Sequence, residues 1–407
     1  MKLRENIIYL ILMQFGNYIA PLLILPYLSR ILGLDGFGIV AMSMSLCAIA
    51  LIITDYGFGI SAPYWLAKNK KDKRLVSQYI GAVFFVKFIL FLLCSLGVFI
   101  FLNATDVIPF DKVTYVAIFL SILFQTFQPN WFFLGIEKMK NITIFMVTAK
   151  IIYLLLVFFY IKESTQSGMV LVCFAISNLF ASSIGVYLIY KEGYWFSTPS
   201  RSEIWKVFKD GALFFISRLS VGVYTSANTF LVGIFSGAGG AALYNSAEKL
   251  YQAGLNATSP ISQALYPYLA RTGDKKVFYK FISLVFIPLF FIVLGCIAHA
   301  ELIMVFIFGD EFRAGAKLLK IFMMIWLVSF VGVNFGYPAF ASIGRVDIAN
   351  KSVIFAAFLQ LVSILTLYIF NMITAENVCL SVLAVETVVM LLRLVTFFKI
   401  SRATQLN

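Results

Sequence analysis

Apolar runs of roughly 20 residues, the length that carries a helix across a bilayer, recur along the whole chain with a short polar break after each. They fall at 7–32, 36–62, 76–102, 113–134, 142–161 and 168–190, then at 211–235, 241–270, 277–298, 318–343, 353–372 and 378–398. The runs are continuously apolar, whereas the strands of a membrane barrel would alternate apolar and polar residues over about 10 positions. This pattern predicts an all-α integral membrane protein of about twelve transmembrane helices. Composition agrees, since 61% of the 407 residues are hydrophobic and 13% charged, against about 45–50% and 25% in a soluble chain. Twelve spans consume about 240 residues and leave no room for a large soluble domain. The first run is too long for a signal-peptide core and has no small-residue cleavage site, so it is expected to stay as a helix.

Charge gives the orientation. The 32 Lys and Arg outnumber the 19 Asp and Glu, and most of these cations lie in alternate connections: Lys2 and Arg4, the basic run at 68–74, Lys138 and Lys140, Lys191 to Lys209, Arg271 to Lys280, Arg345 and Lys351, Lys399 and Arg402. The intervening connections hold only Arg30, Lys112, Lys162, Arg313, Lys317 and Lys320. Because Lys and Arg stay on the cytoplasmic side, both termini are expected in the cytoplasm, with the protein in a bacterial inner membrane. The run at 68–74 then reads as a topology determinant attracted to anionic membrane lipids, and no nucleic-acid partner is expected.

An internal repeat divides the chain. Gly36 and Gly239, and Ala67 and Ala270, stand 203 residues apart, while Gly135 and Gly344, and Asn141 and Asn350, stand 209 apart. Each match is weak alone, but the constant spacing joins them. It predicts two six-helix lobes, an N-terminal one over 1–195 and a C-terminal one over 196–407. Six spans is an even number, so the two halves should run parallel. The longer connection around 306–316 accounts for the change of spacing.

Several chemistries find no residues to carry them. Cys47, Cys94, Cys173, Cys296 and Cys379 are scattered singly through apolar runs, and His299 is the sole histidine. No metal site, disulfide framework or catalytic triad is therefore expected. No G-x-x-x-x-G-K-[ST] phosphate loop occurs, so neither ATP-driven pumping nor any cofactor is implied.

Ionisable groups at membrane depth form the candidate site, because each costs at least about 2.5–3.5 kcal/mol at the centre of a span unless it faces water or a partner. Lys87, Lys150, Arg218 and Lys249 are the deep cations, and each reads either as lining an aqueous cavity or as one half of an interhelical salt bridge. Arg393 lies within two turns of its helix end and is expected to snorkel. Asp55, Glu248 and Glu386 are candidate counter-ions or coupling groups. Glu386 is two helical turns from Arg393. Asp55 lies in Thr54-Asp55-Tyr56-Gly57-Phe58-Gly59, where two glycines could unwind a helix. Pro21 and Pro26 break the first span at mid-depth and are candidate hinge residues.

Three stretches carry a resemblance. Leu25-Pro26-Tyr27-Leu28-Ser29-Arg30-Ile31-Leu32-Gly33 with Gly36-Phe37-Gly38, the 54–59 segment, and Gln128-Pro129-Asn130-Trp131-Phe132-Phe133 ending in Gly135-Ile136-Glu137-Lys138-Met139 resemble the polysaccharide exporters. More narrowly, the chain is similar to the Wzx-type O-antigen flippases of the multidrug/oligosaccharidyl-lipid/polysaccharide superfamily. The resemblance covers the whole chain and implies two six-helix lobes around a central cavity. It implies a non-enzymatic transporter that moves an undecaprenyl-diphosphate-linked oligosaccharide to the periplasmic leaflet by alternating access, with an O-antigen polymerase and a chain-length regulator as partners. On that footing Lys87, Lys150 and Arg218 would hold the diphosphate, while Tyr224, Phe335 and Tyr337 would face sugars. A cation-coupled multidrug antiporter is the competing transporter, and the intramembrane cations argue against its cationic cargo. A membrane polysaccharide polymerase would be expected to carry a large external loop, which the spacing of the runs does not allow.

Overall fold

The computed structural model describes the backbone of residues 3–69, 71–105, 107–109 and 111–406, and the side chains over the same ranges except those of 3–22, 213, 216–218, 220, 221, 223–226, 264 and 402–406. Among the described residues the chain is helical with no strand. In order come α1 (Leu3–Asp55), α2 (Phe58–Asn69), α3 (Lys73–Ala104), α4 (Lys112–Thr126), α5 (Asn130–Gly135), α6 (Met139–Tyr160), α7 (Ser167–Lys191) and α8 (Arg201–Ser226). There follow α9 (Asn228–Thr272), α10 (Lys275–Ala298), α11 (Ala300–Phe308), a 3-10 segment (Asp310–Gly315), α12 (Ala316–Asn334), α13 (Tyr337–Ala341), α14 (Val346–Ile369) and α15 (Ala375–Leu406).

These elements assemble into twelve long helices among the described residues. Both α1 and α9 contain a sharp corner, at Gly33 (φ 65°, ψ −171°) and Gly237 (φ 73°, ψ 177°). That backbone region is open only to glycine, so each corner turns one helix directly into the next. Conversely, α4 with α5 and α12 with α13 are single spans broken in their C-terminal third. Nine helical stretches are long and apolar enough to cross a membrane among the described residues. Leu284, Ile287 and Phe291 on α10 and Ile354, Phe358 and Leu361 on α14 are exposed. In water such stripes would be an aggregation liability, whereas lipid solvates them without cost.

The chain packs as two compact units, up to Phe230 and from Leu231. The first is built on Phe58, Leu66, Val83, Trp131, Phe132, Phe133 and Phe145. In it α4 and α6 lie on α7, α6 also lies on α1, and α8 packs on α1, α2 and α3. That packing of α8 carries the first unit beyond residue 195. In the second unit α12 lies against both α15 and α10, and α14 covers α15.

Backbone geometry sharpens the repeat. Gly33 and Gly237 lie 204 residues apart. Asp72 and Asp274, 202 apart, each cap the next helix with a carboxylate, Asp72 accepting from the Leu75 N–H at 3.0 Å and Asp274 from the Lys276 N–H at 2.9 Å. After the broken spans the agreement is closer still. The Lys138 N–H donates to the Phe133 carbonyl at 2.9 Å and the Arg345 N–H to the Phe340 carbonyl at 2.9 Å. Glu137 (φ 61°) and Gly344 (φ 70°) hold the left-handed position just before, the geometry that closes a helix with a reversed turn. These pairs are 207 apart, which corrects the 209 expected from Gly135 and Gly344. Gly135 has a different task, since a Cβ there would lie 2.6 Å from the Leu66 Cβ.

Candidate functional site

In the first unit the deep charges meet at two helix breaks. The junction of α1 and α2 is made by Tyr56 (φ 48°) and Gly57 (φ 76°), both left-handed, and α8 presses on it. A Cβ on Gly57 would meet the Phe214 Cβ at 2.7 Å, and one on Gly211 the Tyr56 ring at 2.8 Å. Asp55 sits at the mouth of this break, with one carboxylate oxygen accepting from the Gly59 N–H at 3.2 Å and so filling a donor at the start of α2 that the helix cannot. Its other oxygen lies 3.4 Å from the Lys87 ammonium. Lys87 is buried on the inward face of α3 together with Val83 and Val86. It also donates to the Thr126 carbonyl at 3.1 Å, in the last turn of α4. Of the two readings open for Lys87, this is the interhelical salt bridge.

Why that carbonyl needs a donor follows from the sequence. Its helical donor would be the Asn130 N–H, but the backbone leaves the helix at Pro129 (φ −89°, ψ 42°) and Asn130 begins α5 instead, so the ladder lapses where α4 hands over to α5. The Thr126 hydroxyl donates to the Ile122 carbonyl at 2.7 Å and lies 2.9 Å from the Thr54 hydroxyl, tying the two breaks together. Gln128 in the gap donates to the Asn178 side-chain carbonyl on α7 at 2.8 Å.

The second unit has its own polar interior. The Ser329 hydroxyl donates to Glu386 at 3.4 Å and lies 3.3 Å from the Tyr251 hydroxyl. Arg393 is buried, contrary to the expected snorkelling. Its Nε donates to the Ser352 hydroxyl at 2.8 Å and its Nη1 to the Gly332 carbonyl at 2.7 Å. The apolar run ends at Phe398, which by sequence sets Arg393 near the membrane surface, whereas α15 runs on to Leu406. Lys249 donates to Gln252 on its own helix at 3.2 Å, and Glu248 is half-buried beside it.

Other expected residues are dispersed. Lys150 is half-buried on α6. Phe335 does not face open space: its ring packs on Phe278 and Phe397 at centroid distances of 5.2 and 5.7 Å, which corrects its expected contact with sugar. Tyr337 is 40% exposed and its hydroxyl donates to Asn350 at 2.7 Å. The backbone is helical through Pro21 and Pro26 and turns only at Gly33; the side chains of Pro21, Arg218 and Tyr224 lie outside the described residues. No group of His, Cys, Asp and Glu able to hold a metal occurs among the described residues. Arg393, Thr126 and Gly332 are the polar centres that sequence depth alone misjudged or missed, and Pro129 and Gly336 were their signal.

This arrangement belongs to a recognisable lineage. The family described as Polysaccharide biosynthesis protein matches residues 3–273. The chain is a member of that family. A protein of Escherichia coli (strain K12) named as an O-antigen transporter is 28% identical over 278 residues, covering 67% of this chain and 66% of its own length, just short of two thirds. The fold of this polysaccharide-family chain is shared with a multidrug resistance MATE family transporter of the MOP superfamily in an inward-facing conformation (TM-score 0.67, 14% identity, 95% of this chain and 96% of that one). It is shared equally with the lipid II flippase MurJ in an inward closed conformation (TM-score 0.65, 13% identity, 97% and 91%).

Proposed function

We propose that the chain is a flippase that carries an undecaprenyl-diphosphate-linked O-antigen repeat oligosaccharide from the cytoplasmic to the periplasmic leaflet of the inner membrane by alternating access. The observation that carries this reading is the membership of a polysaccharide family in a transporter fold whose spans bear several cations. An anionic diphosphate has an idealised desolvation cost of order 20 kcal/mol per charge in hydrocarbon, while the lipid tail is at home in the bilayer. Cations at membrane depth, for which Lys150, Arg218 and Lys249 are the candidates, lower that barrier. Lys87, held by Asp55 and Thr126, contributes only if its pair opens. Both termini lie in the cytoplasm, and the cargo passes on to an O-antigen polymerase and its chain-length regulator.

Moving about two negative charges outward across an interior-negative membrane releases roughly 2.3 kcal/mol per charge per 100 mV. The potential alone can therefore drive the step. Asp55 is the better candidate for additional cation coupling, because its carboxylate is 21% exposed while its partner Lys87 is 3% exposed, so an ion can reach the acid without first uncovering the base. Glu248 is the alternative coupling group. Flipping that ignores imposed pH and Na⁺ gradients at fixed potential would remove the coupling part of the proposal. Transport by purified Lys150→Ala and Arg218→Ala variants tests the cargo site: parent-like rates would show the diphosphate to be held elsewhere. A multidrug antiporter shares the fold, but cations in the spans repel cationic drugs.

A further inference from the structure

The two broken spans present the same defect, and each is met by a buried cation from a different neighbour. In the first unit the defect is the Thr126 carbonyl, stranded where the backbone leaves the helix at Pro129 and Asn130 starts α5, and the donor is Lys87 on α3. In the second it is the Gly332 carbonyl. The Gly336 N–H, which would close the helix onto Gly332, donates instead to Val333 at 3.1 Å, and Arg393 on α15 supplies the missing donor at 2.7 Å. In the 207-residue register fixed by Glu137 and Gly344, Thr126 corresponds to Val333, so the two stranded carbonyls lie one residue apart along equivalent helices.

The sources of the cations are not equivalent, which is the informative point. By nearly the same register the counterpart of Arg393 on α7 is the Gly185 region, and Gly185 packs directly on the Pro129 ring: a Cβ there would lie 2.6 Å from the Pro129 Cδ. No long side chain fits on that side, and the ammonium enters from α3. In the second unit the gap is lined by glycine. A Cβ on Gly336 would stand 3.1 Å from Arg393 Nη1, so the absent side chain is the space the guanidinium fills. A repeat inherited with its latch would have kept the donor in the same place. Two separate donors mean that the stranded carbonyl is what demands the charge.

We infer that Lys87 and Arg393 are positioning residues that hold the angle of the two broken spans, by donating to carbonyls a straight helix would have satisfied itself. The buried guanidinium donates to the Ser352 hydroxyl and the Gly332 carbonyl of its own unit, and the ammonium is held by a carboxylate and a carbonyl. An unpaired carbonyl in hydrocarbon costs several kcal/mol, so with the cation removed the span is driven to straighten or to recruit water.

The test is an interspin distance measured by pulsed electron resonance, and it needs no cargo, so it succeeds or fails apart from the flippase reading. In protein whose five native cysteines are replaced, labels at Lys320→Cys on α12 and Lys351→Cys on α14, both exposed, report the distance across the second break. A control pair at Lys351→Cys and Tyr368→Cys lies along the unbroken α14. Arg393→Met is expected to shift or broaden the first distribution and leave the control unchanged, and Arg393→Lys to restore most of the parent distribution. If Arg393→Met yields no folded protein, Arg393→Gln carries the same comparison. For the first unit, the charge-neutral double variant Asp55→Asn with Lys87→Met should loosen the geometry across the first break, read as the distance from Lys112→Cys on α4 to Lys140→Cys at the start of α6, while the second unit's pair is unmoved. A parent-like distribution without the cation would overturn the inference. So would equal broadening of the control pair, since Arg393 would then be holding the packing of its unit and not the break.

Discussion

Lys87 is buried and held by both Asp55 and the Thr126 carbonyl, and its removal should be felt first as lost stability. Removing one partner of a buried ion pair costs about 3–5 kcal/mol, and because Asp55 keeps partial access to water at 21% exposure, Lys87→Met belongs near the lower end. Asp55→Asn alone should also destabilise, since it leaves the 3%-exposed ammonium with only the Thr126 carbonyl. The double substitution should be less damaging than the sum of the two. Thermal unfolding of the four proteins in one detergent measures that difference as a coupling energy; strict additivity would mean that the pair does not interact. Asp111 offers a pH-dependent test outside the spans. The Thr114 hydroxyl, and then the Thr114 and Val113 N–H groups, hold its carboxyl below the usual carboxylate range. Its folded value is thus depressed, so its cap stabilises fully above the unfolded value and is lost as pH falls through the folded one. Asp111→Ala should cost about 1 kcal/mol near neutrality and progressively less as pH falls through the folded value, a contrast that hydrogen exchange at the start of α4 would read.

The corners and breaks decide the shape of individual elements, and here a substitution can separate backbone strain from packing. A Cβ at Gly237 would meet nothing within 4 Å, yet its φ of 73° and ψ of 177° are closed to other residues. Gly237→Ala should therefore destabilise by about 1–3 kcal/mol through the backbone alone, and a melting temperature equal to the parent's would contradict that. The apolar runs made the existence of the helices readable in the sequence, because a 20-residue run admits only one regular structure in lipid. Their corners were harder. Pro21 and Pro26 looked like the break in the first span, but α1 continues through both and turns at Gly33, since proline only deprives one carbonyl of its donor whereas this glycine adopts an angle no helix contains. The repeat showed through Gly and Asn identities at a spacing two residues off, because what the halves share is a left-handed position that Glu137 fills in one and Gly344 in the other. Side chains there are free to differ.

For the whole molecule, composition and charge pattern made the membrane class legible, and the family match over 3–273 agrees with the resemblance seen in the proline- and glycine-rich stretches. The candidate site was legible only as a set of deep charges. Depth along a helix says that a charge needs a partner, not which partner, so Lys87 could not be told apart in advance from Lys150 and Lys249, and Arg393 reads from sequence as a snorkelling residue. Distances separate them: Lys87 and Arg393 donate to the Thr126 and Gly332 carbonyls, while the Lys249 ammonium donates to Gln252 on its own helix. Losing one charge-assisted contact to a diphosphate costs about 1.5–3 kcal/mol, which corresponds to about tenfold or more in rate if the contact is made at the top of the barrier. The most direct measurement is the movement of a lipid-linked diphosphate oligosaccharide across proteoliposomes holding the purified chain under an imposed interior-negative potential. The account predicts translocation well above protein-free vesicles, faster as the potential grows, and slowed about tenfold or more by Lys150→Ala or Arg218→Ala. Transport no faster than in empty vesicles, with folded protein and potential both verified, would contradict it.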